Sequence, residues 1–427
     1  MKRFSWIVFF IFVMGGVWCQ ANAYDYPLKD PYVATVIGTP SEFQPKLPEK
    51  IDYKMLSFKV FPEREIPSVF WYQREFRYSL TYQKGEAPLI FVIAGTGSSF
   101  YSSNMIFFQK IFYQAGFHVI CLSSPTAMNF ITTASATCLP GNIIADAVDL
   151  YRVMTMAWQQ VKDRIKVSEF YLTGYSLGAS EAAFISKLDE EKQVFNFKKV
   201  LMINPAVSLY SSAKILDKML LAALPGGLKD FNDWLNRILG RFAEFYKEMG
   251  YIDLSHDWLY DVYKTNFKTR SPKQEDLATM IGFAFRISSN NMIFTSDVMI
   301  NAGLIVPKNL VLGSADSLYE YFRSTSTTTF VDYFDELLFP YYKAKHPELT
   351  QERAIEIVSL HTVEAYLRNS PKIGLMDNED DLILTSEDLA FLKDVFGSRA
   401  KIYPHGGHCG NMSYTENVAY MLNFFKN

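Results

Sequence analysis

Between Pro88 and about residue 207, short and wholly apolar runs alternate with longer amphipathic stretches. The runs have the length and the bounding turns of strands buried on both faces; they are PLIFVIAG, HVICLSS, EFYLTGYS and FKKVLMINPAV. The stretches between them have helical spacing, as in NIIADAVDLYRVMTMAWQQVKDR. Parallel strands need a crossover, which is usually a helix. The alternation therefore predicts an α/β protein with a mainly parallel sheet and helices on both faces.

A long helical block interrupts this alternation. In residues 208–370 the apolar residues recur at helical spacing, as in KILDKMLLAAL, DFNDWLNRILGRFAEFYKEMG and QERAIEIVSLHTVEAYLRN. The strand pattern returns with PKIGLM and AKIYP, and each is followed by a helical stretch. The sequence thus predicts a helical cap, residues 208–370, inserted between two late strands of a core made of residues 88–207 and 371–427.

The start of the chain is typical of a secretory signal peptide. A basic start (MKR) precedes the apolar stretch FSWIVFFIFVMGGVW and a small-x-small cleavage site, ANA. Residues 1–23 therefore predict cleavage after Ala23 and export, to the periplasm or out of the cell; an uncleaved N-terminal anchor is the alternative. Residues 24–87 begin proline-rich and continue into the strand-like stretches MLSFKVF and SVFWYQREFRYSLTYQ. We expect them to form an N-terminal extension with edge strands.

The charge and the cysteine content of the chain bear on whether it binds nucleic acid or a metal ion and on whether it forms a disulfide. Cleavage would leave 40 basic and 45 acidic residues, a formal net charge of −5. No basic run remains, which argues against nucleic acid as a partner. Cys121, Cys138 and Cys409 lack the spacing of a zinc site, and we expect no metal or other cofactor. A bridge between Cys138 and Cys409 is one hypothesis, whereas Cys121, inside a predicted strand, is expected to be a buried free thiol.

The sequence GYSLG at residues 174–178 lies between a predicted buried strand and a predicted helix. A sharp turn there would place Ser176 above the end of the sheet, with the N-terminus of the helix favouring negative charge beside it. Gly174 and Gly178 are needed because a Cβ at either position would clash with a neighbouring strand or helix. The motif predicts that Ser176 is a catalytic nucleophile; a merely structural turn is the alternative.

A nucleophilic serine needs a base, and the chain has six histidines. His118 opens a predicted strand and so belongs at the opposite sheet edge, and three more lie in the cap, where surface or capping roles are expected: His256, His346 and His361. PHGGHCGN follows the last predicted strand, so its loop leaves the same sheet edge as Ser176. We predict that His408, which follows two glycines, is the base, with His405 as the alternative.

The acid that orients the histidine is expected after the preceding strand, where the loop reads DNEDD. Asp377, Asp380 and Asp381 are all candidates. Asp381 is favoured because the helix N-cap that follows, Thr385 or Ser386, places it at the tip of the loop. Asp380 is the next choice, and Asp377 is closest to the strand. A solvated acidic turn without a catalytic role is the alternative.

The turn IAGTGSS follows the first core strand. Backbone N–H groups from this turn and from the residue after the serine form the oxyanion hole in such an arrangement. We predict Thr96 and Leu177 as the donors, with Gly95 and Gly97 supporting the turn. A phosphate-binding loop would need a Lys-Ser/Thr ending, which is absent here.

Ser176, Asp381 and His408 thus occur in this order, each after a strand at one sheet edge. In this the chain resembles the α/β-hydrolase superfamily, over roughly residues 85–207 and 370–427. The resemblance implies that the cap lies over the active site and that an acyl group is transferred to Ser176, then to water or another acceptor. Ala94 stands before Gly95 where many members have a histidine, so no subfamily is identified.

The expected function is that of a serine hydrolase, first of all on an ester. Aromatic residues make up 16% of the chain, which suggests an apolar pocket for an acyl or lipid-like group; packing of the cap's own core is the alternative. Contact with a membrane surface is a separate expectation. A peptidase, an acyltransferase and a non-catalytic envelope binding protein are further hypotheses. Replacement of Ser176 by alanine would leave only the last of these functional.

Overall fold

The computed structural model describes residues 24–426 except 223, 225, 232, 238–239, 241–254 and 267–272. Eight strands form one sheet in the order β1-β2-β4-β3-β5-β6-β7-β8. They are β1 (Lys54–Phe58), β2 (Phe76–Thr81), β3 (Ala87–Ile93), β4 (His118–Leu122), β5 (Val167–Tyr175), β6 (Lys199–Ile203), β7 (Ile373–Asn378) and β8 (Ala400–Tyr403). β2 runs antiparallel to β1 and β4, and the remaining pairs are parallel. The predicted mainly parallel sheet is confirmed.

Helices connect and cover these strands. They are α1 (Pro31–Ile37), α2 (Ser103–Gln114), α3 (Met128–Thr133), α4 (Ile143–Val161), α5 (Leu177–Lys192), α6 (Leu209–Leu221), α7 (His256–Asn266), α8 (Gln274–Ile300), α9 (Tyr319–Ser326), α10 (Phe330–Tyr333), α11 (Phe339–Lys345), α12 (Gln351–Ile357), α13 (Glu364–Asn369), α14 (Ser386–Phe396) and α15 (Thr415–Lys426). In the described part of the chain, no helix is both long and apolar enough to span a bilayer.

The apolar run of β3 shows why both faces of the sheet must be covered. Its side chains alternate between two cores. Leu89, Phe91 and Ile93 pack with residues of α4, α5 and α14 on one face. Ile90 and Val92 pack with residues of α2 and α15 on the other. A strand buried on both faces has no polar side to present, which explains the continuous apolar sequence.

The connection between β6 and β7 is helical, as predicted for a cap. Helices α6 and α8 cross closely at Gly282 of α8. A Cβ at this position would lie only 2.7 Å from the carbonyl oxygen of Leu216 in α6, so only glycine permits the close crossing. A buried ion pair of 2.6 Å joins Arg286 of α8 to Asp217 of α6. A separate apolar core, which includes Phe330 and other aromatic residues, holds the cap together. This core also includes Ile131 and Leu139 of the α/β part, so aromatic residues of the cap pack both against one another and against the sheet domain.

Two predicted elements differ from the structure. The stretch at residues 351–369 is not one helix but α12, a 3-10 turn (Leu360–Val363) and α13. It breaks because Ser359 pairs with Ser208 as an isolated β-bridge and the N–H of Leu360 donates to the carbonyl of Val207. The strand predicted from residue 68 begins only at β2, after a 3-10 turn (Ser68–Phe70). The predicted signal peptide and most of the helix predicted at residues 230–250 lie outside the described residues.

Candidate active site

Ser176 occupies a strained turn between β5 and α5, with φ 54° and ψ −128°. Its N–H donates to the carbonyl of Ile203, which ties the turn to β6. A Cβ on Gly174 would overlap the carbonyl oxygen of Gly178, and a Cβ on Gly178 would lie 2.7 Å from the carbonyl oxygen of Ala94. The flanking glycines are thus required by close backbone packing. A positive φ on a non-glycine residue is unfavourable and marks a place where the surroundings impose the conformation.

A continuous chain of hydrogen bonds leads away from Ser176. Its Oγ lies 2.9 Å from Nε2 of His408, and Nδ1 of His408 lies 3.0 Å from both carboxylate oxygens of Asp381. The side chain of Asp381 is 1% exposed, so its negative charge acts with little screening by water. The structure therefore brings together the three residues that the sequence selected as nucleophile, base and acid.

These three side chains leave the carboxyl ends of parallel strands. Ser176 follows β5, Asp381 follows β7 and His408 follows β8. This chain order, on a sheet with this strand order and with a strained strand-to-helix turn at the serine, decides the fold. The chain has the α/β-hydrolase fold.

Comparisons with known proteins add structural neighbours at low identity. No protein-family model matches the chain, and no curated protein matches its sequence significantly. An esterase of Pyrococcus furiosus has 10% identity and a TM-score of 0.43, over 90% of this chain and 96% of that one. A carboxyl esterase of Bacillus coagulans has 13% identity and a TM-score of 0.40, over 88% and 99%. A proline iminopeptidase of Mycobacterium smegmatis has 13% identity and a TM-score of 0.39, over 87% and 98%. The α/β-hydrolase assignment rests on topology and on the turn at Ser176, not on these scores.

The alternative residues occupy supporting positions. His405 Nε2 lies 3.0 Å from the carbonyl oxygen of Tyr26. Asp380 accepts a hydrogen bond from the N–H of Gly407, which holds the loop that carries His408. Asp377 lies behind Asp381, fully buried, and burial together with the charge of Asp381 raises its pKa well above the ordinary value. The protonated form of Asp377 is therefore favoured relative to that of an exposed carboxyl group.

The predicted oxyanion donors lie beside the serine. Thr96 and Leu177 line the same cavity as Ser176. The turn after β3 approaches closely, because a Cβ on Gly95 would lie 3.1 Å from the Cβ of Ser176. Gly97 has φ 70°, and its N–H donates to the hydroxyl of Thr126 at 2.7 Å. Leu177 is the first residue of α5, where backbone N–H groups have no acceptor within the helix. Thr96 and Leu177 thus both lie beside Ser176, as a pair of oxyanion donors requires.

Sequence reasoning missed Asn204, which follows β6. Its side-chain amide donates to Asp377 at 2.8 Å and to Asp381 at 2.9 Å, so it fixes the carboxylate that faces His408. Asn204 also has a positive φ of 48°, another conformation imposed at the same sheet edge. A signal was present in the sequence, since Asn204 is the first polar residue after a buried strand that ends beside Ser176.

The N-terminal segment, residues 24–39, forms a wall of the histidine loop. The hydroxyl of Thr35 accepts a 2.9 Å hydrogen bond from the N–H of His408. The hydroxyls of Tyr26 and Thr39 both donate to the carbonyl of Gly410, at 2.8 and 2.9 Å. Segment and loop are so close that a Cβ on Gly407 would overlap the carbonyl oxygen of Pro31. This segment is therefore part of the site's framework.

The cysteines do not form the bridge considered from the sequence. Cys138 and Cys409 are free thiols, so that hypothesis is wrong, and Cys121 is a buried free thiol as expected. Cys409 lies beside the base, with Sγ 3.8 Å from Nε2 of His408. Burial raises the pKa of the Cys409 thiol, which is therefore uncharged at neutral pH. Among the described residues, no group of three or more His, Cys, Asp or Glu side chains is placed to hold a metal ion.

The pKa of His408 predicts a pH dependence. Burial, the largest single cause, lowers this pKa, but the charge of Asp381, the neighbouring Cys409 and the hydrogen bonds to both together hold the pKa well above the ordinary 6.5. A general base must be neutral, so activity is lost as pH falls through the raised pKa. We expect the acidic limb of kcat/KM for a soluble acetate ester to lie above pH 6.5. An acidic limb at or below pH 6.5, with the protein folded throughout, would contradict this.

Two cavities meet at Ser176. The outer cleft has a volume of about 370 Å³ and lies beside His408. Its walls include residues of the N-terminal segment and of α2, α7 and α8. The inner cavity, of about 60 Å³, lies on the side of Leu177 and is enclosed by α6, α8 and α10. Ser176, Thr96 and Phe285 line both. His256, which the sequence suggested as a cap or surface residue, also lines the outer cleft.

Proposed function

We propose that the protein is a serine hydrolase that cleaves esters of small molecules through an acyl-enzyme. The observation that carries this proposal is the hydrogen-bonded chain from Ser176 through His408 to Asp381, built on a strained turn. Strained backbone conformations such as that of Ser176 occur preferentially at active sites, where the surrounding structure imposes them. The base lies within hydrogen-bonding reach of the nucleophile and is itself oriented by a third group, which meets the geometric requirement for nucleophilic catalysis.

The proposed reaction has two matched halves. Ser176 Oγ bonds to the ester carbonyl carbon while its proton passes to Nε2 of His408, and the N–H groups of Thr96 and Leu177 stabilise the oxyanion. The bond to the leaving oxygen then breaks, and that oxygen takes the proton from His408. Water attacks the acyl-enzyme in the same way, giving the carboxylic acid and restoring Ser176. Asp381 holds the ring of His408 in the tautomer that can accept the proton.

Ester hydrolysis is favoured over peptide hydrolysis by the lining of the inner cavity. The described residues that line it include no charged side chain, so nothing there would recognise the terminus or the charged side chain of a peptide. Apolar residues such as Leu209, Met292 and Ile383 suit an alkyl group instead. Export by way of residues 1–23 belongs to the same proposal, as does contact with a membrane surface during turnover.

A fluorophosphonate probe tests the nucleophile directly. We expect the folded protein to be labelled at Ser176, as located by mass spectrometry of its peptides. The labelling rate of the variant His408→Ala should be lower by a factor of about 100 or more, because the serine then has no base. His405→Ala is the matched control and should be labelled at nearly the normal rate. Absence of labelling in folded protein, also in mild detergent, would favour the non-catalytic binding protein.

A further inference from the structure

The two cavities that meet at Ser176 differ in size and chemistry, and this difference bears on the substrate. We propose that the enzyme removes short acyl groups, of about two to four carbons, from a polar alcohol that carries several hydroxyl groups. This inference rests on the proposed function, because it assigns the two sides of the same ester to the two cavities.

The position of His408 decides which side of the ester each cavity holds. In the step that forms the acyl-enzyme, His408 gives its proton to the leaving oxygen. The leaving alcohol must therefore lie against His408, which lines the outer cleft and not the inner cavity. The acyl group, which stays on Ser176, then extends into the inner cavity beside Leu177.

The inner cavity limits the length of the acyl chain. Its volume is about 60 Å³, against roughly 10–15 Å³ on the same measure for a cavity that holds one water, so only a few heavy atoms fit. Its lining includes Met292 and Phe330, which are 2% and 9% exposed and belong to a packed apolar core. The cavity therefore ends against packed side chains, and a longer chain would have to displace them.

The outer cleft offers hydroxyl, amide and imidazole groups to the leaving alcohol. Its polar lining includes Thr39, Ser98, Asn104, His256, Ser288 and Ser413. The hydroxyl of Ser288 donates to a carbonyl in its own helix, so its oxygen remains an acceptor. No Asp, Glu, Lys or Arg is among the described residues that line this cleft. Apolar side chains such as Leu216 and Phe285 also line the cleft and can contact the carbon skeleton of the alcohol. A neutral alcohol that carries several hydroxyl groups matches this mixed lining better than an ion.

Chain-length selectivity tests the acyl half of the inference. With 4-nitrophenyl acetate, butyrate, octanoate and dodecanoate, we expect kcat/KM for octanoate to be about 100-fold or more below that for acetate or butyrate. Phe330→Ala should raise the octanoate-to-butyrate ratio about tenfold or more by lengthening the inner cavity. Phe334→Ala is the matched control, since Phe334 is buried in the same core but does not line that cavity. Equal or rising kcat/KM from butyrate to octanoate would overturn the acyl assignment.

Two acetates with different alcohols test the leaving-group half. Glyceryl monoacetate should show a kcat/KM about tenfold or more above that of butyl acetate, because only its glycerol moiety has free hydroxyl groups that can bond with the outer cleft. A preference for butyl acetate, or equal values, would overturn this half. If Ser176 is labelled by the fluorophosphonate but the selectivities fail, the inference falls and the hydrolase proposal stands. If Ser176 is never labelled, the hydrolase proposal itself fails.

Discussion

Replacing Ser176 by alanine is expected to lower kcat for 4-nitrophenyl acetate by about 10⁶-fold while the protein stays folded. The substitution removes the oxygen that forms the acyl-enzyme, and losses of this order follow when a nucleophile or its base is removed from a triad. What activity remains would come from the oxyanion donors and from substrate binding alone. Steady-state kinetics, together with a thermal melt to verify folding, measure the effect.

Ser180 provides the matched control for this variant. It lies in α5, one turn after Ser176, and its buried hydroxyl donates to the carbonyl of Ala206 at 2.7 Å. Ser180→Ala should cost about 1 kcal/mol of stability through that lost hydrogen bond, with kcat near normal. A Ser176→Ala enzyme that kept more than about 1% of the activity would exclude Ser176 as the nucleophile.

Replacing Asp381 by asparagine is expected to lower kcat by about 10⁴-fold. The amide has nearly the same shape as the carboxylate but no negative charge. It can therefore neither stabilise the protonated ring of His408 nor reliably fix the ring's tautomer. The pKa of His408 should also fall, because the charge that raises it is gone. Kinetics at several pH values measure both effects.

The neighbouring acids give two controls for this second variant. Asp380→Asn can still accept from the N–H of Gly407 through its amide oxygen, so we expect a loss of only a few-fold in kcat. Asp377→Asn replaces an acid that lies behind Asp381, with a pKa raised by burial and by the charge of Asp381, and should likewise change kcat by only a few-fold. If Asp380→Asn gave the largest loss, the assignment of the orienting acid to Asp381 would be wrong.

Much of the core could be predicted because its signals are local. A strand buried on both faces must be apolar throughout, as in β3, and this pattern is visible without knowing what the strand contacts. The parallel arrangement then places the loops after β5, β7 and β8 at one edge, which brings Ser176, Asp381 and His408 into the same region. Placement at the tip of the loop was enough to favour Asp381 over Asp380 and Asp377.

Other features depend on contacts that no local pattern records. The role of Thr35 comes from a hydrogen bond to His408 across 373 positions in the chain. The break between α12 and α13 comes from the pairing of Ser359 with Ser208, since the sequence itself has helical spacing throughout. The size of the inner cavity also depends on contacts between residues that are distant in the sequence. Aromatic content is compatible with a pocket for a lipid-like group or with packing of the cap, and it cannot decide between them because the volume of a cavity depends on how side chains interdigitate. In the structure, Phe330, Tyr333 and Phe334 are buried in a packed apolar core.

The hydrogen bond between Thr35 and His408 has a consequence for the order of folding. Closing a flexible loop of that length costs about 5 kcal/mol of chain entropy, on a scale of (3/2)RT ln n, so the contact is favourable only once most of the intervening chain is already ordered. The strand β7 must likewise find β6 across the whole cap. The core strands from β3 to β6 can pair earlier, since their partners are near in sequence. We therefore expect Ser176 and His408 to come together only at a late stage of folding, when the N-terminal segment closes on the histidine loop.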